Sequence, residues 1–220
     1  MKGLFITGTD TNVGKTYIAC QIASELHKRG INVVPRKPVE SGCELINNVL
    51  HPSDANLLLL ASQSNISLNE VCPYRFEPAI SPQIAARHSG EELQLQHLIS
   101  ACTQNVNNDD LLIVEGAGGF LSPICENTLN ADLAKALNLP ILLVVEDRLG
   151  SVNQTLLAIN AIEKYELEIS AVILNSNTEK KQNTLIDNKA EIQSFTQHTI
   201  FQTAFKQSLD YNYYQRLLNL

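Results

Sequence analysis

A glycine-rich segment near the start of the chain has the residue types of a phosphate-binding loop. Residues 8–16 read G-T-D-T-N-V-G-K-T, directly after a short apolar run and directly before an amphipathic stretch. The N–H groups of such a loop, with the N-terminus of the following helix, can surround phosphate oxygens. Lys15 would place a positive charge on the β and γ phosphates, and the Thr16 hydroxyl would ligate magnesium. The segment therefore predicts binding of ATP with Mg²⁺.

The spacing of the two glycines differs from the usual pattern of this loop. Five residues separate Gly8 from Gly14, where the usual loop has about four, so Thr9 stands at the first-glycine position. A G-K-T tripeptide also occurs by chance, and an ordinary strand-to-helix turn is the alternative interpretation. The position between a strand-like run and a helix-like stretch favours the phosphate-binding interpretation.

Two further clusters carry charges that suit phosphate chemistry. Residues 35–42, P-R-K-P-V-E-S-G, hold Lys37 between two prolines that stiffen the backbone. Lys37 is therefore a candidate fixed cation and Ser41 a candidate donor, although a surface loop with a solvated lysine is the alternative. Residues 115–119, E-G-A-G-G, place Glu115 at the end of an apolar run, the usual position of a magnesium carboxylate beside a phosphate-binding loop.

Asp54 is the acid whose role the local sequence leaves open. It lies in S-D-A at residues 53–55, in the first turn of a predicted helix with Ser53 as a possible cap. Local context alone favours a helix-dipole or capping role for Asp54 over a metal ligand.

The elements that must position these residues follow from the apolar pattern. Six strand-length runs lack polar alternation, as strands buried on both faces do: residues 4–7, 31–34, 111–114, 141–145, 171–174 and, more weakly, 198–201. Helices are predicted over residues 16–29, 53–61, 91–102, 130–137, 151–165, 183–195 and 209–218. Residues 42–51 are predicted to be an exposed loop, and residues 175–183 a solvated loop and the start of a helix.

This alternation of strands and helices predicts the fold class. It indicates an α/β protein with a mostly parallel central sheet and helices on both faces, in one domain over residues 1–220. The glycine-rich loop after the first strand makes the P-loop NTPase fold the expected member of this class. Ligands of such sheets bind outside the carboxyl ends of the strands, and each cluster described above lies at such an end.

Composition narrows the partners and the compartment. The net charge of −7 and the pI of about 5.2 argue against nucleic acid and anionic membranes as partners. The five cysteines are scattered, as expected of reduced thiols. The apolar run at the N-terminus is too short for a signal peptide or a membrane span. A cytoplasmic protein is expected.

Taken together and in order, the clusters resemble the dethiobiotin synthetase family. The matching segments are G-T-D-T-N-V-G-K-T at 8–16, K-P-V-E-S-G at 37–42, S-D-A at 53–55, P-Y-R-F…S-P at 73–82, V-E-G-A-G-G at 114–119, L-G-S-V-N at 149–153 and Asn175. The extra residue between Gly8 and Gly14 is itself a mark of this family. Any one motif could be chance, but the ordered set is specific.

The resemblance implies an ATP- and Mg²⁺-dependent cyclo-ligase of biotin biosynthesis. Its substrate is 7,8-diaminopelargonic acid, which carbon dioxide (or bicarbonate as its source) carboxylates on one amine. The carbamate then attacks the γ-phosphate of ATP, and the second amine closes the cyclic urea to give dethiobiotin, ADP and phosphate. A reaction between two anions depends chiefly on positioning and charge neutralisation.

The resemblance also implies roles for individual residues. Those expected at the reacting groups are Lys37, Lys15, Thr11 and Ser41. Those expected at ATP are Asn12, Val13, Gly14, Lys15, Thr16, Tyr17, Glu115 and Asn175, the last reading the adenine edge. The magnesium ligands are expected to be Thr16, Asp54 and Glu115. The diamine substrate is expected at Ser41, Gly118, Leu149, Gly150, Ser151 and Asn153.

The family further implies a homodimer with its sites near the interface. Residues 149–153 would bind the substrate carboxylate of the neighbouring subunit at a helix N-terminus, which suits an anion. One segment departs from the family pattern: residues 199–205, T-I-F-Q-T-A-F, lack the glycine and proline expected at the adenine pocket.

Three other functions share some of these features. A switch ATPase of the partition or metallochaperone type has the same loop, but commonly carries a second lysine near the loop's start, where this chain has G-T-D-T. A cobyrinic acid-type amide ligase is commonly longer than 220 residues. A nucleotide-binding regulatory module would not require Lys37 or the E-G-A-G-G cluster.

Overall fold

The computed structural model describes residues 1–179, 187–209 and 213–214. The strands are β1 (Lys2–Gly8), β2 (Val33–Arg36), β3 (Val39–Ser41), β4 (Glu44–Ile46), β5 (Val49–His51), β6 (Tyr74–Phe76), β7 (Leu111–Glu115), β8 (Pro123–Cys125), β9 (Thr128–Leu129), β10 (Ile141–Glu146), β11 (Ile169–Asn175) and β12 (Ile200–Thr203). The helices are α1 (Lys15–Lys28), α2 (Ser53–Ser62), α3 (Leu68–Val71), α4 (Pro82–His88), α5 (Leu95–Thr103), α6 (Asn130–Leu137), α7 (Ser151–Lys164) and α8 (Asn188–Gln193).

The six predicted strands form one sheet in the order β12-β11-β10-β1-β7-β2, and every neighbouring pair is parallel. This confirms the predicted α/β fold. The register pairs Ile6 with Glu115 and Gly8 with Val144. The end of β1, where the glycine-rich loop begins, therefore lies level with the ends of β7 and β10.

Apolar side chains fill the core on both faces of this sheet. Leu4 and Ile6 of β1 pack on one face with the buried stripe of α1, which includes Ile18 and Ile22. Phe5, between them, packs on the opposite face with α5, α6 and α7. Burial on both faces explains why the strand sequences are continuously apolar.

The second strand lies two residues later than predicted, because β2 continues through Pro35 to Arg36. A proline cannot donate to the ladder, but β2 is the edge strand and bonds only to β7, so Pro35 is tolerated there. Lys37 therefore follows the strand directly.

Three other local predictions were wrong. The predicted loop 42–51 contains the β4–β5 hairpin, whose turn residues Asn47 and Asn48 adopt φ values of 50° and 62°, a conformation that favours Asn. The predicted helix 91–102 begins only at Leu95, because Gln94 is extended. Ser53 is not a cap, since the N-cap position is Pro52 and no local side chain caps the helix.

The remaining elements were either not predicted or lie partly outside the described residues. The short helices α3 and α4 and the strand pairs β3–β6 and β8–β9 were not predicted. Residues 183–186 of the predicted helix 183–195, residues 180–183 of the predicted loop 175–183 and most of the predicted helix 209–218 lie outside the described residues. Within the described ranges, no helix is long and apolar enough to cross a membrane.

Candidate active site

The glycine-rich loop connects the end of β1 to the start of α1, as predicted. Gly14 occupies the N-cap position of α1 with φ 100°, in the left-handed region, where a side chain would be strained. A Cβ at Gly14 would also overlap the Asn175 Nδ2 atom. Gly14 thus lets the loop turn into the helix while the amide of Asn175 lies against it.

Two asparagines, one at the end of β11 and one just after it, hold the loop from one side. Asn175 Nδ2 donates to the Val13 carbonyl at 3.0 Å and to Asn177 Oδ1 at 2.7 Å. Asn177 Nδ2 donates to the Asn12 carbonyl at 2.9 Å. Asn175 is 2% exposed, so its amide supports the loop as a buried brace.

Lys15 lies across the phosphate loop. Its Nζ donates to the Asp10 carbonyl at 2.7 Å, and the residue is 7% exposed. Burial, followed by repulsion from the Lys37 charge, lowers the pKa of Lys15 to about 8. A buried cation in this position is suited to bind a polyphosphate.

Lys37 lies between two carboxylates. Its Nζ donates to Glu115 Oε1 at 2.6 Å, to Asp54 Oδ2 at 3.3 Å and to the Gly116 carbonyl at 3.4 Å. The side chains of Lys37 and Glu115 are 4% and 0% exposed. Burial alone would lower the pKa of Lys37, but Glu115 and Asp54 outweigh it and raise the pKa above its ordinary value. Lys37 is therefore a permanent cation here, not a solvated surface lysine.

The residue before Lys37 anchors the end of β2. Arg36 is fully buried, and its guanidinium donates to the carbonyls of Ala101 at 2.9 Å and Gln104 at 2.7 Å, at the end of α5. A positive charge at a helix C-terminus is favourable. The Lys37 N–H donates to the Val71 carbonyl at 2.9 Å, so the backbone on both sides of the lysine is fixed.

Thr16, Asp54 and Glu115 form the donor set that was expected to bind magnesium. Thr16 Oγ1 donates to Glu115 Oε1 at 2.8 Å, and Lys37 links Glu115 to Asp54. The second oxygen of Glu115, Oε2, is buried and has no hydrogen-bond partner in the described part of the chain. One hydroxyl and two carboxylates are hard oxygen ligands, and Oε2 is an open acceptor on a carboxylate whose other oxygen is taken by Lys37 and Thr16. These residues therefore fit a magnesium ion.

The glycine segment after β7 packs directly against the phosphate loop. The N–H of Gly116 donates to the Ile6 carbonyl at 2.9 Å, and that of Phe120 to the Gly8 carbonyl at 3.1 Å. Gly118 has φ 73°, and a Cβ there would lie 3.9 Å from Thr11 Cγ2. Thr11 and Gly118, both expected at the substrate, thus face each other across a narrow gap.

Ser41 and Tyr17 are the other two residues expected at the reacting groups or at ATP. Ser41 is partly buried at the end of β3, four residues after Lys37. Tyr17, on α1, is 37% exposed, and its hydroxyl donates to the Gln207 carbonyl at 3.4 Å. Tyr17 thus faces the chain that follows β12.

Residues 149–153 lie after β10, at the start of α7. Gly150 is the N-cap of α7 with φ 91°. Leu149 is 77% exposed and Asn153 is exposed, whereas Ser151 is buried with its Oγ unpaired among the described residues. The ion pairs that the structure describes around Lys37 do not include this segment.

Three residues of the site region were missed by sequence reasoning. Asn177 braces the phosphate loop, as described above. Asp147 accepts from Asn188 Nδ2 at 2.7 Å and Gln202 Nε2 at 2.6 Å, which fixes the turn before residue 149. Glu40 contacts the start of α2. The position of Glu40 inside the K-P-V-E-S-G motif was the one feature of the sequence that could have indicated a role at the site.

Known proteins resemble this chain in sequence and in fold. A family model described as an AAA domain matches residues 2–203. The ATP-dependent dethiobiotin synthetase BioD of Vesicomyosocius okutanii is 46% identical over 200 residues, covering 91% of this chain and 88% of that protein. The protein of the same name from Ruthia magnifica is 47% identical over 175 residues, covering 80% of each chain.

A solved structure supports the fold alone. The ParA family ATPase of Chlorobium tepidum superposes with a TM-score of 0.53 at 16% identity, covering 99% of this chain and 88% of that one. The fold is thus that of a P-loop NTPase, whereas the sequence identity to the synthetases extends over nearly the whole chain. The chain belongs to the ATP-dependent dethiobiotin synthetase family.

Proposed function

We propose that this chain closes the ureido ring of dethiobiotin from 7,8-diaminopelargonic acid, carbon dioxide and ATP, as one catalytic domain in the cytoplasm. The observation that carries the proposal is Lys37. Its Nζ lies outside the phosphate loop, 2.6 Å from Glu115 Oε1 and 3.3 Å from Asp54 Oδ2. A buried cation held apart from the loop lysine is what an anionic acceptor beside the γ-phosphate requires.

The chemistry assigns the two lysines different tasks. The substrate carbamate forms when one amine attacks carbon dioxide and loses a proton. A carbamate oxygen then bonds to the γ-phosphorus while the bond to the β-bridging oxygen breaks, releasing ADP. Lys15 neutralises charge on the phosphates and Lys37 neutralises the carbamate. Thr11 and Ser41 donate hydrogen bonds at the same place. The second amine then attacks the carbonyl carbon of the mixed anhydride, the C–O bond to the phosphate breaks, and the amine loses a proton as the ring closes.

Magnesium belongs to the proposal because the donor set fits it. Thr16, Asp54 and Glu115 would hold the ion, and when bound it neutralises charge on the β- and γ-phosphate oxygens. Lys37 would then compete with the ion for the carboxylates of Asp54 and Glu115. A Lys37 ammonium that no longer contacts these carboxylates would be available to bind the carbamate.

The direct test of this function is whether ATP turnover depends on the diamine. ADP release is measured with Mg²⁺ and bicarbonate, in the presence and absence of 7,8-diaminopelargonic acid. We expect turnover to require the diamine and to yield dethiobiotin. Turnover at the same rate without the diamine would favour the switch ATPase, the second candidate, which has this fold and loop.

The pKa of Lys15 predicts a pH dependence of ATP binding. The free protein holds Lys15 with a pKa of about 8, and bound phosphates raise that pKa because they favour the charged form. Binding above the pKa must therefore take up a proton, whereas binding below it need not. We expect ATP affinity to be nearly constant below pH 8 and to fall by up to about tenfold per pH unit above it.

Calorimetry in buffers of different ionisation enthalpy measures this proton uptake. About one proton should be taken up per ATP near pH 9 and almost none near pH 6.5, the second condition acting as the internal control. Equal uptake at both pH values would contradict the assignment to Lys15.

A homodimer is part of the same proposal. A cavity of about 290 Å³ beside Gly8 and Gly119 is flanked by α7 and lined by Leu121 and Leu157. Leu121 and Leu157 are 50% and 61% exposed, and Leu149 nearby in sequence is 77% exposed. Exposed leucines next to a proposed substrate segment support a second copy of the chain as the partner.

Leu157→Glu is expected to weaken this dimer. Light scattering should give about twice the chain mass of 24.3 kDa for the unaltered protein and a lower mass for the variant. The KM for the diamine should rise while ATP binding persists. Leu60→Glu is the matched control, since Leu60 is 65% exposed on α2, which packs on the other face of the sheet. A variant Leu157→Glu that stays dimeric would refute this interface.

A further inference from the structure

Glu40 is a buried acid that the proposed reaction does not use. It lies on β3 between Lys37 and Ser41, and only 5% of it is exposed. Its Oε1 accepts from the Asp54 N–H at 3.0 Å and from Ser53 Oγ at 3.3 Å, and its Oε2 accepts from the Ala55 N–H at 3.0 Å. Both carboxylate oxygens are therefore directed at the first turn of α2.

Helix α2 has no cap of its own. Pro52 occupies the N-cap position, in an extended conformation, and provides no side-chain acceptor. The N–H groups of the first turn lack partners within a helix, and they attract negative charge. Glu40 supplies both the acceptors and the charge from a different element, some 14 residues earlier in the chain.

The residue held most directly by this contact is Asp54. Its carboxylate is 41% exposed, and its one hydrogen bond in the described part of the chain is the 3.3 Å contact from Lys37. The Asp54 carboxylate is therefore oriented by this one side-chain contact and by the backbone that carries it. Its direction depends on where the backbone at the start of α2 is fixed, and that point is the bond from the Asp54 N–H to Glu40.

Glu40 does not have the geometry of a ligand. Its two oxygens already accept three hydrogen bonds, and a metal would have to displace backbone donors that have no other partner. By contrast, Glu115 Oε2 has no hydrogen-bond partner among the described residues.

We infer that Glu40 is a positioning residue for the divalent cation, which fixes the first turn of α2 so that the Asp54 carboxylate stays directed at Glu115 and Lys37. The inference rests on the proposed function for the identity of the ion. Partners that orient metal ligands typically change metal affinity by about ten- to a hundredfold when they are removed.

The experiment is a double-mutant cycle on metal binding, with Mn²⁺ as the probe. Mn²⁺ is added to the protein in the presence of a non-hydrolysable ATP analogue and without the diamine. The electron paramagnetic resonance signal of free Mn²⁺ then reports how much of the ion is bound. The variants are Glu40→Gln, Asp54→Asn and the double variant. Gln is isosteric with Glu but turns an N–H toward one backbone donor. Glu70→Gln is the matched control, because Glu70 also accepts a backbone N–H at a helix N-terminus, that of Ser67 in the capping box of α3, and it is not one of the expected metal ligands.

Glu40→Gln should weaken Mn²⁺ binding by about tenfold or more, and should add nothing in the Asp54→Asn background. Glu70→Gln should leave Mn²⁺ affinity unchanged. The inference would be overturned if Glu40→Gln lowered Mn²⁺ affinity equally in the unaltered chain and in Asp54→Asn. It would also be overturned if Glu40→Gln left the Mn²⁺ affinity of the unaltered chain unchanged. An unchanged Mn²⁺ affinity in Asp54→Asn would overturn it too.

Two further results keep the test decisive. If Glu40→Gln does not fold, Glu40→Asp retains the charge on a shorter side chain and should show a smaller loss that again vanishes with Asp54→Asn. The metal-binding measurements use no diamine and are therefore independent of dethiobiotin formation. If the expected Mn²⁺ affinities were found but no dethiobiotin were formed, the proposed function would be refuted and the role of Glu40 would still be supported.

Discussion

Lys37→Ala is expected to lower kcat on the order of 10²–10³-fold, while ATP still binds. That is the typical cost of removing one preorganised group that stabilises charge developing in the transition state. The ammonium of Lys37 is buried, and Glu115 and Asp54 raise its pKa, so it is present as a fixed charge at neutral pH. Single-turnover ADP formation at saturating ATP measures the effect separately from nucleotide binding.

The same variant should lose stability in the absence of metal. Glu115 would be left as a buried carboxylate without its closest cation, which costs about 3–5 kcal/mol in comparable pairs. The lower figure is expected, because Thr16 still donates to Glu115 and the charge of Lys15 lies nearby. A loss of about 3 kcal/mol lowers Tm by roughly 6–12 °C in a chain of this size. Added Mg²⁺ should restore part of it.

Lys135→Ala is the control for this variant. Lys135 pairs with Glu166 at 3.2 Å on the surface, with both side chains largely exposed. Surface pairs of this kind contribute about 0–1 kcal/mol, so neither kcat nor Tm should change noticeably. Near-normal turnover by Lys37→Ala would show that the cation assigned to the carbamate is the wrong one.

Glu115→Gln is expected to raise the Mg²⁺ concentration needed for half-maximal activity by at least tenfold. Removing a group that only orients a metal ligand lowers metal affinity by about ten- to a hundredfold. Removing the charge of a ligand itself should lower it by at least as much. The amide retains the shape of Glu115 and an acceptor for Thr16, so the change isolates the charge. Binding of ATP without metal should change far less.

An exposed glutamate provides the comparison for Glu115→Gln. Glu126 pairs with Arg87 at 2.6 Å, and both side chains are more than half exposed. Glu126→Gln should give the Mg²⁺ titration of the unaltered chain. If Glu115→Gln also gives that titration, Glu115 is not a magnesium ligand and its unpaired Oε2 needs another explanation.

The sequence predicted the centre of this site because parallel sheets impose a simple geometry. Strands buried on both faces read as apolar runs, and their carboxyl ends meet at one edge. Gly14, Lys37 and Glu115 follow three such runs, and the structure brings their backbones to that edge. The contacts of Lys37 with Glu115 and Asp54 are consistent with this geometry, although Asp54 would have been interpreted as a local cap without the family resemblance.

The supporting residues could not be predicted in the same way. A helix cap is normally sought in the residues next to the helix, and the cap of α2 comes from Glu40 on another element. Asn177 acts through the backbone of Asn12, which no side-chain pattern reveals. The hairpin of residues 42–51 depends on two asparagines at positive φ, a weaker turn signal than Asn-Gly.

The central claim is that one carbon dioxide becomes the ureido carbon at the expense of one ATP. The most direct measurement supplies ¹³C-bicarbonate, ATP, Mg²⁺ and 7,8-diaminopelargonic acid and analyses the product by mass spectrometry. The account predicts dethiobiotin that carries one ¹³C in its ureido carbonyl, formed in step with ADP. Formation of ADP without any labelled dethiobiotin would contradict it.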